Sequence, residues 1–188
     1  MSFLTLNEIN LMGFKEIGRN VLISRKASFY NVKNIQIGSN VRIDDFCVIS
    51  AGQHGIKIGS NVHIAVYTSL IGKEKIEISD FCNLSSKVSI YSSNDDYSGK
   101  YLTSPIIPEE YTNITNSPVF LGKHTIIGSG SIILPGVVLE DGVAVGALSL
   151  VKHSFPAFTI IAGRPATVIK IRESTLLELE QNYLNNMK

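Results

Sequence analysis

Between residues 121 and 151 an aliphatic residue recurs at every sixth position: Leu121, Ile127, Ile133, Leu139, Val145 and Val151. Four places after each of the first five stands a small or β-branched residue: Thr125, Ser131, Val137, Val143 and Ser149. A period of six matches neither the 3.6-residue repeat of a helix nor the two-residue alternation of a strand. It predicts a short strand followed by a corner, with three such units closing one triangular coil of a parallel β-helix.

The same register continues upstream, so nearly the whole chain is predicted to form one solenoid. The upstream aliphatic or aromatic positions are Ile17, Ile23, Phe29, Ile37, Ile43, Ile49, Ile58, Ile64, Leu70, Ile78, Leu84 and Ile90. Successive coils here are slightly longer than three hexads, and the extra residues fall on the third side. We therefore expect the inserts around 52–55, around 72–75 and over 92–117 to stack at one corner. The last of these is polar and aperiodic, which is typical of a functional external loop.

Both ends of the chain carry helix signals. Thr5 followed by Glu8 forms a capping-box pattern, and Gly13 ends the short helix that it opens. Leu176, Leu179 and Tyr183 have helical spacing. The expected organisation is an N-terminal helical segment over 1–16, a β-helix domain over 17–171 with the external loop at 92–117, and a C-terminal helix over 172–188.

Composition narrows the function classes. The formal net charge is +1, with dispersed basic residues, so the chain lacks the electrostatic basis for binding nucleic acid. No apolar run is long enough for membrane insertion, and the N-terminus has no signal-peptide pattern, which favours a cytoplasmic protein. Cys47 and Cys82 both follow an aliphatic position by four residues, so we interpret them as core residues.

Two segments carry a resemblance to a known family. The stretch from Ile126 to Val137 resembles the central signature of the hexapeptide-repeat acyltransferases, and the stretch from Ala162 to Ala166 resembles their coenzyme A segment. The resemblance implies an all-β fold: a left-handed parallel β-helix of hexapeptide repeats with a long external loop and short N- and C-terminal helices. It also implies a homotrimer with active sites between subunits, and acetyl-CoA as donor. The chain looks most similar to the maltose, galactoside and O-antigen O-acetyltransferase branch.

With that resemblance, the C-terminal third is the expected donor site. Small residues near the repeat signature would let the backbone bond the pantetheine amides: Gly128, Ser129, Gly146 and Ala147. His124 is expected to line this site, and Gly163 and Pro165 to fix the turn around Arg164. Arg164, Lys170 and Arg172 are candidates for the coenzyme A phosphates. Solvated surface is an equal interpretation for Lys170 and Arg172.

Acyl transfer to a hydroxyl needs a base, and the family's histidine after the strand at Ile90 is missing here. Asn94, Asp95 and Asp96 occupy that segment. His63 is the first alternative, predicted to project outward from a corner of the coil. A carboxylate of the 94–96 segment in a neighbouring subunit would orient it. The competing interpretation is a surface histidine and a loop turn.

The sequence thus predicts an acetyl-CoA-dependent O-acetyltransferase of a sugar or glycan precursor, acting in O-antigen or capsule biosynthesis. One alternative is N-acetylation of a nucleotide-linked amino sugar, because an amine has less need of a strong base. A second is a noncatalytic β-helix scaffold. No metal is expected, since His54, His63 and His124 lack the spacing of a zinc site.

Overall fold

A computed structural model describes residues 2–186. The chain winds into about seven coils of a left-handed parallel β-helix, which confirms the predicted all-β fold class. Three largely parallel sheets form the three sides of the prism; each of the first six coils contributes one short strand to each sheet, and the last coil adds strands to one sheet only. A strand in the middle of a sheet therefore bonds to its counterparts one coil before and one coil after it.

The strands group by sheet. Sheet 1 contains β1 (Glu16–Ile17), β4 (Ile35–Ile37), β7 (Ile56–Ile58), β10 (Ile76–Ile78), β15 (Val119–Leu121) and β18 (Val138–Leu139). Sheet 2 contains β2 (Leu22–Ile23), β5 (Arg42–Ile43), β8 (His63–Ile64), β11 (Asn83–Leu84), β16 (Ile126–Ile127), β19 (Ala144–Val145), β21 (Thr159–Gly163) and β22 (Ala166–Ile171). Sheet 3 contains β3 (Ser28–Tyr30), β6 (Val48–Ala51), β9 (Ser69–Gly72), β12 (Ser89–Tyr91), β17 (Ile132–Ile133) and β20 (Leu150–Val151).

The hexad residues fill the prism as columns. In sheet 2, Ile64 lies in register with Ile43 on one coil and with Leu84 on the other, and all three are fully buried. The second inward position is buried too, as at Thr125 and Ser131, whose hydroxyls donate to backbone carbonyls. Stacking identical positions lets every aliphatic side chain contact two others, so a narrow coil still buries a continuous apolar core.

The two cysteines are core residues, as predicted. Cys47 and Cys82 are buried and unpaired. Burial raises the pKa of the Cys47 thiol to about 11 and that of Cys82 to about 12. Neither thiol is therefore a thiolate at neutral pH, and their role is packing.

We name the corners by the sheets that they join. Corner 1 leads from sheet 1 to sheet 2, corner 2 from sheet 2 to sheet 3, and corner 3 from sheet 3 back to sheet 1. One residue of most turns at corners 1 and 2 adopts the left-handed conformation, which the chain needs in order to bend sharply between two-residue strands. At corner 1 this residue is Asn in three successive coils: Asn20, Asn40 and Asn61.

The inserts lie together at corner 3, as predicted. Asn34, at corner 3 of the first coil, donates to the carbonyl of Gly52 in the 52–55 insert, and the loop begins where Ser92 donates to Glu74 O of the 72–75 insert at 2.7 Å. The loop opens and closes with an antiparallel pair, β13 (Ser93–Asn94) and β14 (Thr115–Asn116). A 3₁₀ turn spans Glu109–Tyr111 within it, and another spans Val32–Asn34 at corner 3 of the first coil.

Both terminal helices are present. Helix α1 (Leu6–Leu11) starts at Thr5, whose hydroxyl accepts from Glu8 N while the Glu8 carboxylate accepts from Thr5 N, so the predicted capping box is confirmed. Helix α2 (Leu176–Asn186) follows the antiparallel β21–β22 hairpin that closes the last coil. No helix within residues 2–186 is long and apolar enough to cross a bilayer.

Truncating the sheet 2 column tests the core directly. Ile64→Ala should lower the free energy of unfolding by about 2–5 kcal/mol, because the column cannot close the cavity without moving two neighbouring coils. Ile106→Ala, at a loop isoleucine that is 92% exposed, is the matched control and should change it by less than about 0.5 kcal/mol. Chemical denaturation checks both. Equal effects in the two variants would contradict the column description.

Candidate active site along corner 2

Corner 2 brings most of the predicted donor residues into one line. Gly128 and Ser129 form its turn in the fifth coil, Gly146 and Ala147 in the sixth, and Gly163 with Arg164 in the seventh, one above another by the register of sheet 2. Neighbouring strands lie about 4.8 Å apart, so these turns form an edge running along the helix axis. An extended ligand fits such an edge.

This edge offers free backbone donors. Within residues 2–186 no oxygen accepts from the backbone N–H of Ser129 or Ala147, and both residues are exposed. Gly128 is required by the stacking itself, because a Cβ there would collide with the backbone nitrogen of Ala147. The predicted use of these N–H groups for pantetheine amides is therefore geometrically available, and the glycine has a structural reason as well.

Arg164 extends the same edge. Its Nε donates to Leu148 O at 2.6 Å, which holds the guanidinium over corner 2 while the side chain stays exposed. The peptide bond from Arg164 to Pro165 is cis. Lys170 lies on β22 opposite Ile160, away from the corner and exposed.

His124 and Arg172 lie at corner 1, across sheet 2 from the other donor candidates. The Nη1 of Arg172 donates to His124 O at 2.9 Å and to Gly142 O at 3.0 Å, and burial lowers the pKa of this guanidinium. His124 stacks on Phe81 at 5.1 Å and contacts Glu180 through Nε2 at 2.7 Å. Within one chain, therefore, the expected donor residues form two groups.

Glu180 of helix α2 organises the corner 1 group. Its carboxylate accepts from Lys123 at 2.8 Å and contacts His124 at 2.7 Å. The bond from Lys123, against the opposing effect of burial and with help from His124, lowers the pKa of Glu180. The helix thus covers the Phe81–His124 ring pair, and Tyr183 meets Phe81 edge-on. Spacing of helical leucines predicted the helix but not this carboxylate's partners.

His63 faces outward as predicted, but from strand β8 rather than from a corner. Its Nε2 lies 2.9 Å from Asp44 Oδ2 and its Nδ1 lies 3.2 Å from Asn83 Oδ1, so both ring nitrogens have partners. Burial raises the pKa of Asp44, but hydrogen bonds from Arg42 and His63 outweigh it and hold that pKa below its usual value. Asp44, which the sequence did not single out, is thus the carboxylate that orients His63.

The 94–96 segment lies beyond β12, on the loop at corner 3. Asp96 accepts from the hydroxyl and backbone N–H of Ser98 and from Asn113, and these bonds lower its pKa. Asn94 belongs to β13. Asp95 is exposed, and no group within residues 2–186 bonds its carboxylate. A single chain therefore does not bring His63 to these residues.

No three His, Cys, Asp or Glu side chains of the described residues converge as a metal-ligand set.

Comparison with known proteins shows what this chain is similar to. No family model matches the chain. It is 58% identical over 183 residues to the dTDP-4-amino-4,6-dideoxy-D-glucose acyltransferase of Escherichia coli, covering 97% of this chain and 95% of that protein. It is 33% identical over 141 residues to the putative lipopolysaccharide biosynthesis O-acetyl transferase WbbJ of E. coli K12, covering 73% of this chain and 69% of that protein.

Among solved structures, an aspartate-to-asparagine variant of the N-acyltransferase AntD from Bacillus cereus, in complex with dTDP and coenzyme A, superposes with a TM-score of 0.95 at 48% identity, covering 99% of this chain and all of that one. The fold and these relatives define an acyltransferase enzyme that acts on sugars. The chain belongs to the hexapeptide-repeat acyltransferase family.

The chain is more similar to the N-acyltransferases than to the O-acetyltransferase branch that the sequence suggested. The maltose O-acetyltransferase from Clostridium difficile matches with a TM-score of only 0.60 at 25% identity, covering 89% of this chain and 75% of that one. Both values are well below those of AntD. The sequence motifs on which the branch assignment rested are shared across the family, so they could not separate O- from N-acyltransferases.

The Glu180 contacts give a direct test of helix docking. Glu180→Gln should release helix α2, because the variant loses the charge on the acceptor of Lys123 and His124. Hydrogen exchange of amides 176–186 should accelerate about tenfold, while exchange in the coils stays unchanged. Glu178→Gln on the exposed side of the same helix is the control. Unchanged exchange in Glu180→Gln would show that apolar contacts alone hold the helix.

Proposed function

We propose that this chain is an N-acyltransferase that moves an acyl group from an acyl-CoA to the amino group of a dTDP-4-amino-4,6-dideoxyhexose. The observation that carries the proposal is similarity over essentially the whole chain to proteins with this acceptor. The E. coli relative is named for it, and AntD has been solved with dTDP-4-amino-4,6-dideoxyglucose and coenzyme A. AntD has also been solved with 3-hydroxybutyryl-CoA, so the acyl group is left open between acetyl and longer chains.

The engagement of the histidines supports an amine acceptor. Both ring nitrogens of His63 have partners, and His124 is held by Glu180. His54 lies beside Glu74 in an insert, and His153 is on the surface. A sugar hydroxyl needs a base to remove its proton as it attacks. A neutral amine attacks without prior deprotonation, so a site without a free imidazole suits nitrogen better than oxygen.

Asp95 is the carboxylate that we assign to the amine. It is exposed and unbonded within the described residues, whereas Asp96 is occupied by Ser98 and Asn113 and holds the loop. Asp95 would accept a hydrogen bond from the amino group and so direct the nitrogen lone pair at the thioester. The carbon–nitrogen bond forms, the carbon–sulfur bond breaks, and the proton lost by nitrogen balances the one gained by the coenzyme A thiolate.

The AntD structures support an aspartate and a serine at this site. They include variants at one serine and at one aspartate ten positions further along the chain. In this chain Ser85 precedes Asp95, and Ser86 precedes Asp96, by the same interval. Both serines form the turn at corner 2 in the fourth coil, directly before the coils that present Ser129 and Ala147.

The serines at corner 2 and the aspartates of the loop lie at opposite ends of strand β12, so one small acceptor would not contact both within one chain. The proposal therefore includes a homotrimer in which corner 2 of one subunit meets the corner 3 loop of the next. Native mass measurement checks it. A surface-glycan role belongs to the same proposal, since WbbJ and the colanic acid acetyltransferase WcaF, both from E. coli, are named for such pathways.

Acceptor choice tests the proposal. With acetyl-CoA, the purified protein should acylate dTDP-4-amino-4,6-dideoxyglucose, and mass spectrometry should show that one acetyl group has been added. That group should be removed only under conditions that cleave amides. dTDP-glucose, with a hydroxyl at the same carbon, is the matched control and should react at least about 10²-fold more slowly, because neither ring nitrogen of His63 is free to take the hydroxyl proton. Preferential acylation of dTDP-glucose would contradict the proposal and support O-acetyltransferase activity instead.

Exchanging the two loop carboxylates separates their roles. Asp95→Asn should lower kcat by about 10²-fold while leaving coenzyme A affinity unchanged, because it removes a charge near the amine and nothing from corner 2. Asp96→Asn keeps an oxygen that can accept from Ser98, so its effect on turnover should come mainly from a less ordered loop. His153→Ala, on the surface, is the control. Full turnover in Asp95→Asn with loss of turnover in His63→Ala would return the base to His63.

A further inference from the structure

An exposed aromatic stack lies on corner 2, in coils that the donor site does not use. The rings of Phe46 and Tyr67 lie 5.0 Å apart with an interplanar angle of 15°. Phe46 is 45% exposed and Tyr67 is 54% exposed. Each occupies the left-handed turn position of its coil, with φ of +62°. Exposed stacked rings are uncommon on a solenoid unless something covers or binds them.

The equivalent pair at corner 1 shows the difference. Phe81 and His124 are likewise left-handed and stacked, but helix α2 covers them through Glu180 and Tyr183. Nothing within residues 2–186 covers Phe46 and Tyr67 in this way. The corner 2 pair therefore lacks the helix that lies over its counterpart.

The free ring face points along the corner toward the reacting groups. Lys26 lies over the Phe46 ring at 5.2 Å from its centroid, and Tyr67 stacks on the other side, so both faces of Phe46 are covered. Tyr67 has Phe46 on one face only. Its remaining face is directed toward the fourth coil, whose corner residues are Ser85, Ser86 and Lys87.

The groups at corner 2 therefore follow one another along the helix axis. The second and third coils carry the aromatic pair, the fourth carries the serines with exposed Lys87, and the fifth to seventh carry the donor edge ending in Arg164. Each step is about 4.8 Å. A base stacked on the free face of Tyr67 would therefore lie at the level of the fourth coil, beside Lys87, and one coil from the first free backbone donor at Ser129.

We propose that Tyr67, backed by Phe46, is the stacking platform for the thymine base of the acceptor nucleotide, with Lys87 pairing with its diphosphate. The inference rests on the proposed function, because it takes the acceptor to be a dTDP-sugar. Aromatic side chains bind nucleobases by stacking on their π-faces, and a lysine one coil away supplies charge for phosphate. Donor and acceptor would then share one corner, from opposite ends.

The left-handed conformation makes the test clean. Asparagine tolerates this conformation better than an aromatic residue, and corner 1 uses it at three coils. Tyr67→Asn and Phe46→Asn should therefore fold with thermal stability equal to or above that of the wild type. Calorimetric titration with dTDP should show affinity reduced by about tenfold in Tyr67→Asn and less in Phe46→Asn. Lys87→Asn should also lower the affinity for dTDP, and the loss relative to the wild type should grow as the salt concentration decreases.

Three controls fix the interpretation. Coenzyme A titration should be unchanged in every variant, and so should the native mass. Tyr30→Asn removes an equally exposed tyrosine from strand β3, off the corner, and should bind dTDP as the wild type does. Unchanged dTDP affinity in Tyr67→Asn would overturn the inference. A changed native mass would overturn it also, because the stack would then be a contact between copies of the chain.

Failure of the proposed function is distinguishable from failure of this inference. If the wild type binds dTDP and acylates the amino sugar but Tyr67→Asn does both equally well, only the platform is wrong. If the wild type neither binds dTDP nor acylates the amino sugar, the acceptor itself is wrong and the platform falls with it.

Discussion

Everything in this molecule depends on the in-register stacking of short parallel strands. Because each coil repeats the same three sides, a residue at a given coil position lies above its counterpart from the preceding coil, as Ile64 lies between Ile43 and Leu84. Inward positions become buried aliphatic columns, and corner positions become exposed columns. A solenoid with a core only one prism wide has no interior cavity for a substrate, so binding groups must be assembled along the outside.

The corners differ because different elements cover them. Corner 1 is covered by Arg172 and, through Glu180, by helix α2; corner 3 carries the inserts and the loop; within residues 2–186 no helix covers corner 2. Openness, free N–H groups at Ser129 and Ala147, and an uncovered ring at Tyr67 coincide on that one edge. An extended coenzyme and a nucleotide sugar both need a long surface, and under the proposed function this edge would supply one continuous column for the two.

The repeat period in the sequence predicted which residues form the core. It did not predict which partners the outward side chains contact. The hexads located the core, Cys47 and Cys82 included, and the capping box located helix α1. Periodicity separates inward from outward but does not say which outward residues meet across coils. Hence Asp44 was missed as the partner of His63, and His124 and Arg172 were grouped with Arg164 although a whole sheet lies between them. The loop lacks the histidine that O-acylation would use, and this absence is why N-acetylation stood as an alternative to the predicted O-acetylation.

Hydrogen exchange with each ligand separately tests the central claim, that one corner serves both substrates. Coenzyme A should protect the amides of Ser129 and Ala147, and dTDP should protect those of the corner 2 turns in the third and fourth coils, around 65–67 and 85–87, with corner 1 unchanged in both titrations. Protection by dTDP confined to corner 1 or to sheet 3, with corner 2 exchanging freely, would contradict the account.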